Sequence, residues 1–91
     1  MPYDAGSRIV QSASVVYSEH DAGALLLDVA AGRRVLLDAF GRRVWVALGD
    51  ALTLVELFAC LRDDGTPAER LAEDVTRLLA RWRAQGLIRW R

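Results

Sequence analysis

The chain has one cysteine, one histidine and no lysine, and each scarcity narrows its chemistry. A lone cysteine, Cys60, closes no intramolecular disulfide, which fits a reducing compartment. It stands within an apolar helical stretch, where the expected role is that of a small buried thiol. The lone histidine, His20, is flanked by Glu19 and Asp21 but has no further metal ligand at a useful spacing, so it reads as a solvated turn residue. All twelve basic residues are arginine, and twelve carboxylates balance them. A net charge of zero argues against a bulk polyanion as the main partner. No run approaches the roughly 20 apolar residues of a membrane span. The opening MPYDAGSRIV lacks the basic-then-apolar pattern of a signal peptide. The expected location is the cytoplasm, with neither nucleic acid nor membrane as partner.

Catalytic patterns are missing as well. There is no phosphate-cradling Gly-rich loop, no Cys/His metal cluster and no Ser/His/Asp set. The carboxylates fall in helix caps and turns, where amide stabilisation and solubility account for them. A binding module is therefore expected rather than an enzyme, with no catalytic residue, cofactor or metal.

What is present is enough apolar residue, 53% of 91, to build one small domain around one core. Residues 1–11 carry Pro2 and Gly6 and are expected to be a loosely held N-terminal segment, with the domain running over residues 12–91. The organising stretch is residues 23–48, GALLLDVAAGRRVLLDAFGRRVWVAL. It predicts two apolar strands, Leu25–Val29 and Val35–Leu37, joined by a turn at Ala30-Ala31-Gly32. Alternation is taken to place Leu25, Leu27 and Val29 on one face with Val35 and Leu37. The other face then carries Leu26, Asp28, Arg34, Leu36 and Asp38. An earlier strand is predicted over Ser12–Ser18, with Ala13, Val15 and Tyr17 on one side, followed by a turn at Glu19–Gly23. Nothing after Leu37 in the chain reads as a strand able to pair with the Val35 strand, which is therefore expected to be a free edge.

Three helices follow. Asp38 is placed as the N-cap of the first, which runs from Ala39 to about Leu48 with Phe40, Val44, Trp45 and Leu48 on its apolar side. Thr53-Leu54-Val55-Glu56 is a capping box opening a second helix with Leu54, Leu57, Phe58 and Leu61 inward; Asp63-Asp64-Gly65 ends it. Thr66-Pro67-Ala68-Glu69 repeats the signal, with proline expected at the first helical position of a third helix reaching about Gln85. Its apolar stripe is Leu71, Val75, Leu78, Leu79 and Trp82, and Gly86 stops it. Leu87 and Ile88 are expected to fold back on the core. Arg70, Asp74, Arg77 and Arg81 form a charged line bordering the stripe, by default a solvated face.

In this order, LLLD at Leu25–Asp28, Gly32-Arg33, Leu37-Asp38, Asp74-Val75 and Gly86-Leu87 resemble the PqqD-like family, the RiPP recognition elements. The likeness covers roughly residues 12–90 and is greatest to the free-standing members of lasso-peptide gene clusters. Relatives often carry an aromatic after the Gly-Arg pair, where this chain has Arg34 and Val35. The resemblance implies an α+β, winged-helix-like fold, a three-stranded antiparallel sheet with three helices. It implies binding of the leader segment of a ribosomally made precursor peptide, added as a strand to the third strand in the groove beside the third helix. It also implies two partner enzymes, a leader peptidase of the cysteine protease class and an asparagine synthetase-like cyclase.

On that basis the docking edge is Arg33, Arg34, Val35, Leu36, Leu37 and Asp38, whose backbone would pair with the leader. Leu36, Val75, Leu78 and Trp82 are candidates to meet apolar leader residues. Arg34, Arg70, Arg77 and Arg81 are candidates to meet its carboxylates, with Asp74 orienting an arginine. Two other readings stay open: a winged-helix DNA-binding protein, opposed by Glu69, Glu73 and Asp74 on the last helix, and a structural module that dimerises through its free edge.

Overall fold

The computed structural model describes residues 6–63 and 65–91; residues 1–5 and Asp64 lie outside the described part. The chain runs β1 (Ile9–Gln11), β2 (Val15–His20), β3 (Gly23–Asp28), β4 (Arg33–Leu37), α1 (Ala39–Ala47), a short 3-10 turn (Leu48–Asp50), α2 (Leu54–Leu61), α3 (Ala68–Ala84) and β5 (Ile88–Trp90). Strands β2, β3 and β4 form an antiparallel sheet in that order, and β1 pairs with β5 in a second, two-stranded sheet. The fold is α+β, as expected, with the β1–β5 pair in addition.

The β3–β4 hairpin is present with Val35 and Leu37 of β4 inward as expected, but the phase of β3 is the reverse of the one expected. Leu26 pairs with Val35 and Ala24 with Leu37, and Ala24, Leu26, Asp28 and Leu37 are all buried. Leu25 and Leu27 therefore lie on the outer face, Leu27 being 40% exposed. The buried Asp28 carboxylate fixes this phase. It accepts from the Ser14 hydroxyl at 3.0 Å and the Ala31 amide at 3.3 Å, which satisfies the group inside the hairpin end. Gly32, at φ +64°, completes the turn. On β2 the expected faces are found: Val15 pairs with Asp28 and Tyr17 with Leu26, so both lie inward. That strand continues to His20, and the reversal is tighter than predicted, through Asp21 at φ 40°.

The N-terminal segment is not loose where it is described. Ile9 is fully buried, and β1 runs antiparallel to β5 with Ile9 opposite Trp90 and Gln11 opposite Ile88. Arg8 and Arg91 exchange backbone hydrogen bonds at 3.1 and 2.8 Å. An apolar side chain and a row of amides satisfied by the far end of the chain hold it down.

The helices begin as their caps dictate. Asp38 accepts from the Gly41 amide at 2.7 Å to start α1, and the Thr53–Glu56 box is reciprocal, at 3.2 and 2.9 Å, at the start of α2. The third start differs: Pro67 is the N-cap itself, and no side chain caps α3. The Asp63 carboxylate has already taken the amides of Gly65 and Thr66, each at 2.9 Å, so Thr66 is held in the turn rather than at the helix end. Those backbone bonds, Gly65 first, hold the Asp63 carboxyl below its ordinary range. Gly86 ends α3 at φ +75°, and Leu87 and Ile88 return to the core.

One core collects Ile9, Leu26, Val44, Leu48, Leu57, Val75, Leu79, Trp82 and Leu87 from every layer. Trp45 and Trp82 meet edge to face in it, with ring centroids 5.4 Å apart. Cys60 is exposed, contrary to expectation, because α2 turns Leu57 and Leu61 to the core and Cys60 lies on the other side.

Candidate functional site

The sheet has two outer strands, β2 and β4, and β4 is the one that leads into α1 beside α3. Among the described residues β4 pairs with β3 on one side only, so the amides and carbonyls of alternate residues on its other side face away from the sheet. Val35 and Leu37 turn toward the core, and Leu36 stands outward, 81% exposed. Arg33 lies at the start of the strand opposite Asp28. Immediately after β4, Asp38 redirects the chain into α1. Gly41 permits the close approach there: a Cβ on it would sit 3.3 Å from both Asp38 Oδ1 and Leu37 Cβ.

Helix α3 supplies the facing wall. A shallow recess of about 120 Å³ is lined by Asp38, Phe40, Asp74, Arg77, Leu78 and Arg81, joining the end of β4 to the middle of α3. It adjoins a second recess, about 280 Å³, through the shared residues Phe40 and Asp74; that one extends toward Arg43, Pro67 and Arg70. The two form a groove along the α3 flank.

The charges in this groove are loosely committed. Arg77 bonds Glu73 at 2.7 Å, and the Arg70–Asp74 contact is 4.0 Å, both one helical turn apart and well exposed. Among the described residues no ion pair is recorded for Arg81. The groove thus combines a backbone edge, an apolar floor at Leu78 and Phe40, and cations able to exchange their present partners for those of an incoming chain.

Measured against expectation, Asp38, Asp74, Arg77, Leu78 and Arg81 converge on one recess and Arg70 on the adjoining one. Val75 and Trp82 do not reach it. They are 0% and 1% exposed, because the helical period that brings Leu71 and Leu79 inward carries both into the core. Arg34 and Leu36 belong to the outer face of the sheet, opposite Leu27 and Leu25 respectively. Phe40 was missed as a groove residue. Its place directly after an N-cap at the end of an edge strand was the available signal, and its helical spacing with Val44 concealed it.

No helix of the described residues is long and apolar enough to cross a membrane. No curated protein matches the chain. Among solved structures, one described as TbiB1 in complex with the TbiA(beta) leader peptide superposes with a TM-score of 0.77, at 24% identity over 87% of this chain and 93% of that one. Likeness of that degree establishes the fold. Residues 23–88, from the start of β3 to the start of β5, match the family model for coenzyme PQQ synthesis protein D, and the chain belongs to the PqqD family.

Proposed function

We propose that this protein binds the leader segment of a ribosomally made lasso precursor peptide. The leader adds as a strand to β4 along Arg33–Asp38 and lies in the groove against α3. The observation that carries this reading is the unpaired β4 edge continuing, at Asp38, into the recess lined by Asp74, Arg77, Leu78 and Arg81. Main-chain pairing supplies affinity that depends little on leader sequence, and the recess selects among leaders. The structural neighbour is itself a complex with a leader peptide, which supports the same reading. The chain acts as a carrier without a reaction of its own. It hands the bound precursor, in the cytoplasm, to a leader peptidase of the cysteine protease class and to an asparagine synthetase-like cyclase.

The test is a titration with a synthetic leader from the precursor encoded beside this chain, with short duplex DNA as control. Saturable leader binding at about −8 kcal/mol or better, that is micromolar or tighter, with no DNA binding, is the expected result. Salt-sensitive DNA binding without leader binding would overturn it and reassign the α3 arginines to phosphate contacts.

A further inference from the structure

One hydrogen bond at the far side of the sheet fixes which peptide groups of β4 point outward. The Val29 amide, just after β3, donates to the Ser14 carbonyl, just before β2, at 2.9 Å. Bonded and unbonded pairs alternate along an antiparallel ladder. That bond therefore continues the bonded pairs Leu27–Val16, Leu25–Ser18 and Gly23–His20. The peptide groups of Gly23, Leu25 and Leu27 face β2, so those of Ala24, Leu26 and Asp28 face β4, where they meet Leu37, Val35 and Arg33. The crowding at Gly23 agrees: a Cβ there would meet the Leu37 carbonyl oxygen, which must point into the sheet.

The N–H and C=O of Arg34 and of Leu36 are left pointing out of it. They form a row of two donors and two acceptors spanning about 7 Å. Among the described residues no hydrogen bond from outside the sheet is recorded for them. The row stops there, because the Asp38 carbonyl already accepts from the Arg42 amide at 2.9 Å. On the opposite edge the outward groups are those of Val15, Tyr17 and Glu19, and the Val15 amide is taken by the Ser12 carbonyl at 3.3 Å.

Side chains on an added strand alternate in step with those of β4. Residues beside Val35 and Leu37 face the α3 side of the sheet, and the residue between them faces outward with Leu36. On the basis of the strand addition proposed above, we propose that the leader is held by the peptide groups of Arg34 and Leu36, and that its selective side chains occupy two positions separated by one residue. The segment it takes is thus an extended stretch with free peptide groups, of which only alternate side chains enter the groove.

Residue-resolved amide hydrogen exchange on the whole protein tests this, first alone and then with a saturating synthetic leader from the precursor encoded beside this chain. In the free protein Arg34 and Leu36 should exchange tenfold or more faster than Val35 and Leu37, and the leader should slow both by tenfold or more. Fast exchange at Val35 and Leu37 instead overturns the proposal, as does a bound leader that leaves Arg34 and Leu36 fast or protects Tyr17 and Glu19 in their place. Leu36→Pro removes one outward amide and spares the β3–β4 ladder, a substitution edge strands tolerate. It should bind the leader tenfold or more weakly than Leu36→Ala, the control for the lost side chain. A folded Leu36→Pro that matches Leu36→Ala overturns the proposal; if it does not fold, exchange in the wild type decides. A leader that fails to bind at all overturns the proposed function, and the exchange pattern of the free protein still decides which amides of β4 point outward.

Discussion

Gly23 and Leu37 lie so close across the β3–β4 ladder that a Cβ on Gly23 would collide with the Leu37 carbonyl oxygen. The obstacle is backbone, which cannot swing aside as a side-chain end does. Absence of a side chain at Gly23 therefore keeps the C-terminal end of β4 seated on β3, and with it the position of the edge that enters Asp38. Gly23→Ala is expected to destabilise the fold by about 1–3 kcal/mol, the range for overpacking a filled site. It should also weaken the leader by displacing the edge. Chemical denaturation and leader titration at a temperature where the variant remains folded separate the two effects.

Val35 and Leu37 differ from Leu36 in what they hold. The first two pack on the core side, and their truncation to alanine is expected to cost about 1–4 kcal/mol, as core truncations do. Leu36→Ala, at a position 81% exposed, should change stability by no more than about 0.5 kcal/mol. A loss at Leu36 equal to that at Leu37 in denaturant titration would mean the strand has the other phase.

The phase of β4, with Val35 and Leu37 inward, is legible in the sequence, whereas that of β3 is not. Leu25-Leu26-Leu27 is apolar without a break, so alternation supplies no phase, and Val29, apolar as well, belongs to the turn and not to the strand. What sets the register is Asp28, whose burial depends on Ser14 in the turn before β2, a contact invisible at short range. The β1–β5 pair was illegible for the same reason: each strand is too short to show a period, and each is stabilised by the opposite end of the chain. Helix starts at Asp38 and Thr53 were legible because a cap is a local bond between residues three apart. On α3, the line Arg70, Asp74, Arg77, Arg81 was readable as a flank, but the boundary between stripe and groove was not. Leu78 is half-buried while Val75, one turn away, is fully enclosed, and the helical stripe that holds both does not distinguish them.

Arg77 and Arg81 are expected to matter for binding and not for folding. The Arg77–Glu73 pair is short, 2.7 Å, yet both side chains are more than 60% exposed, and such pairs contribute about 0–1 kcal/mol. Arg77→Ala and Arg81→Ala should melt as wild type does and bind the leader severalfold more weakly, the loss shrinking as salt is raised. Normal leader affinity in both variants would reduce the line to a solvated face.

Trp82 is expected to be a fold residue only. Its ring is 1% exposed and meets Trp45 edge to face. Trp82→Ala should cost about 3–5 kcal/mol, a large part of the total for a domain of this size. Trp82→Phe keeps an aromatic edge and should recover much of that loss with unchanged leader affinity. A Trp82→Phe variant that is stable but fails to bind would place the residue in the groove after all.

The capping box of α2 predicts how stability responds to acid. The Thr53 amide, donating to the Glu56 carboxylate at 2.9 Å, is the first cause that lowers the Glu56 carboxyl below its ordinary 4.5, followed by the Thr53 hydroxyl; Arg8 Nη1, 3.2 Å away, acts in the same direction. A carboxyl whose folded value is depressed binds protons more readily in the unfolded chain. Its stabilisation is fully present above about the unfolded value and is lost as pH falls through the folded one. Glu56→Gln keeps an oxygen able to accept from Thr53 while removing the charge. The variant is expected to melt below wild type at pH 7, with the gap closing as pH falls through 4.5 and below, because protonated Glu56 then resembles glutamine. The contact also links α2 to the N-terminal segment, since Arg8 donates to the Ala51 carbonyl at 3.0 Å as well as to Glu56. Arg8→Met should therefore narrow the same acid-dependent gap, and a melting difference between wild type and Glu56→Gln that does not vary with pH would show that the charge is not what the box uses.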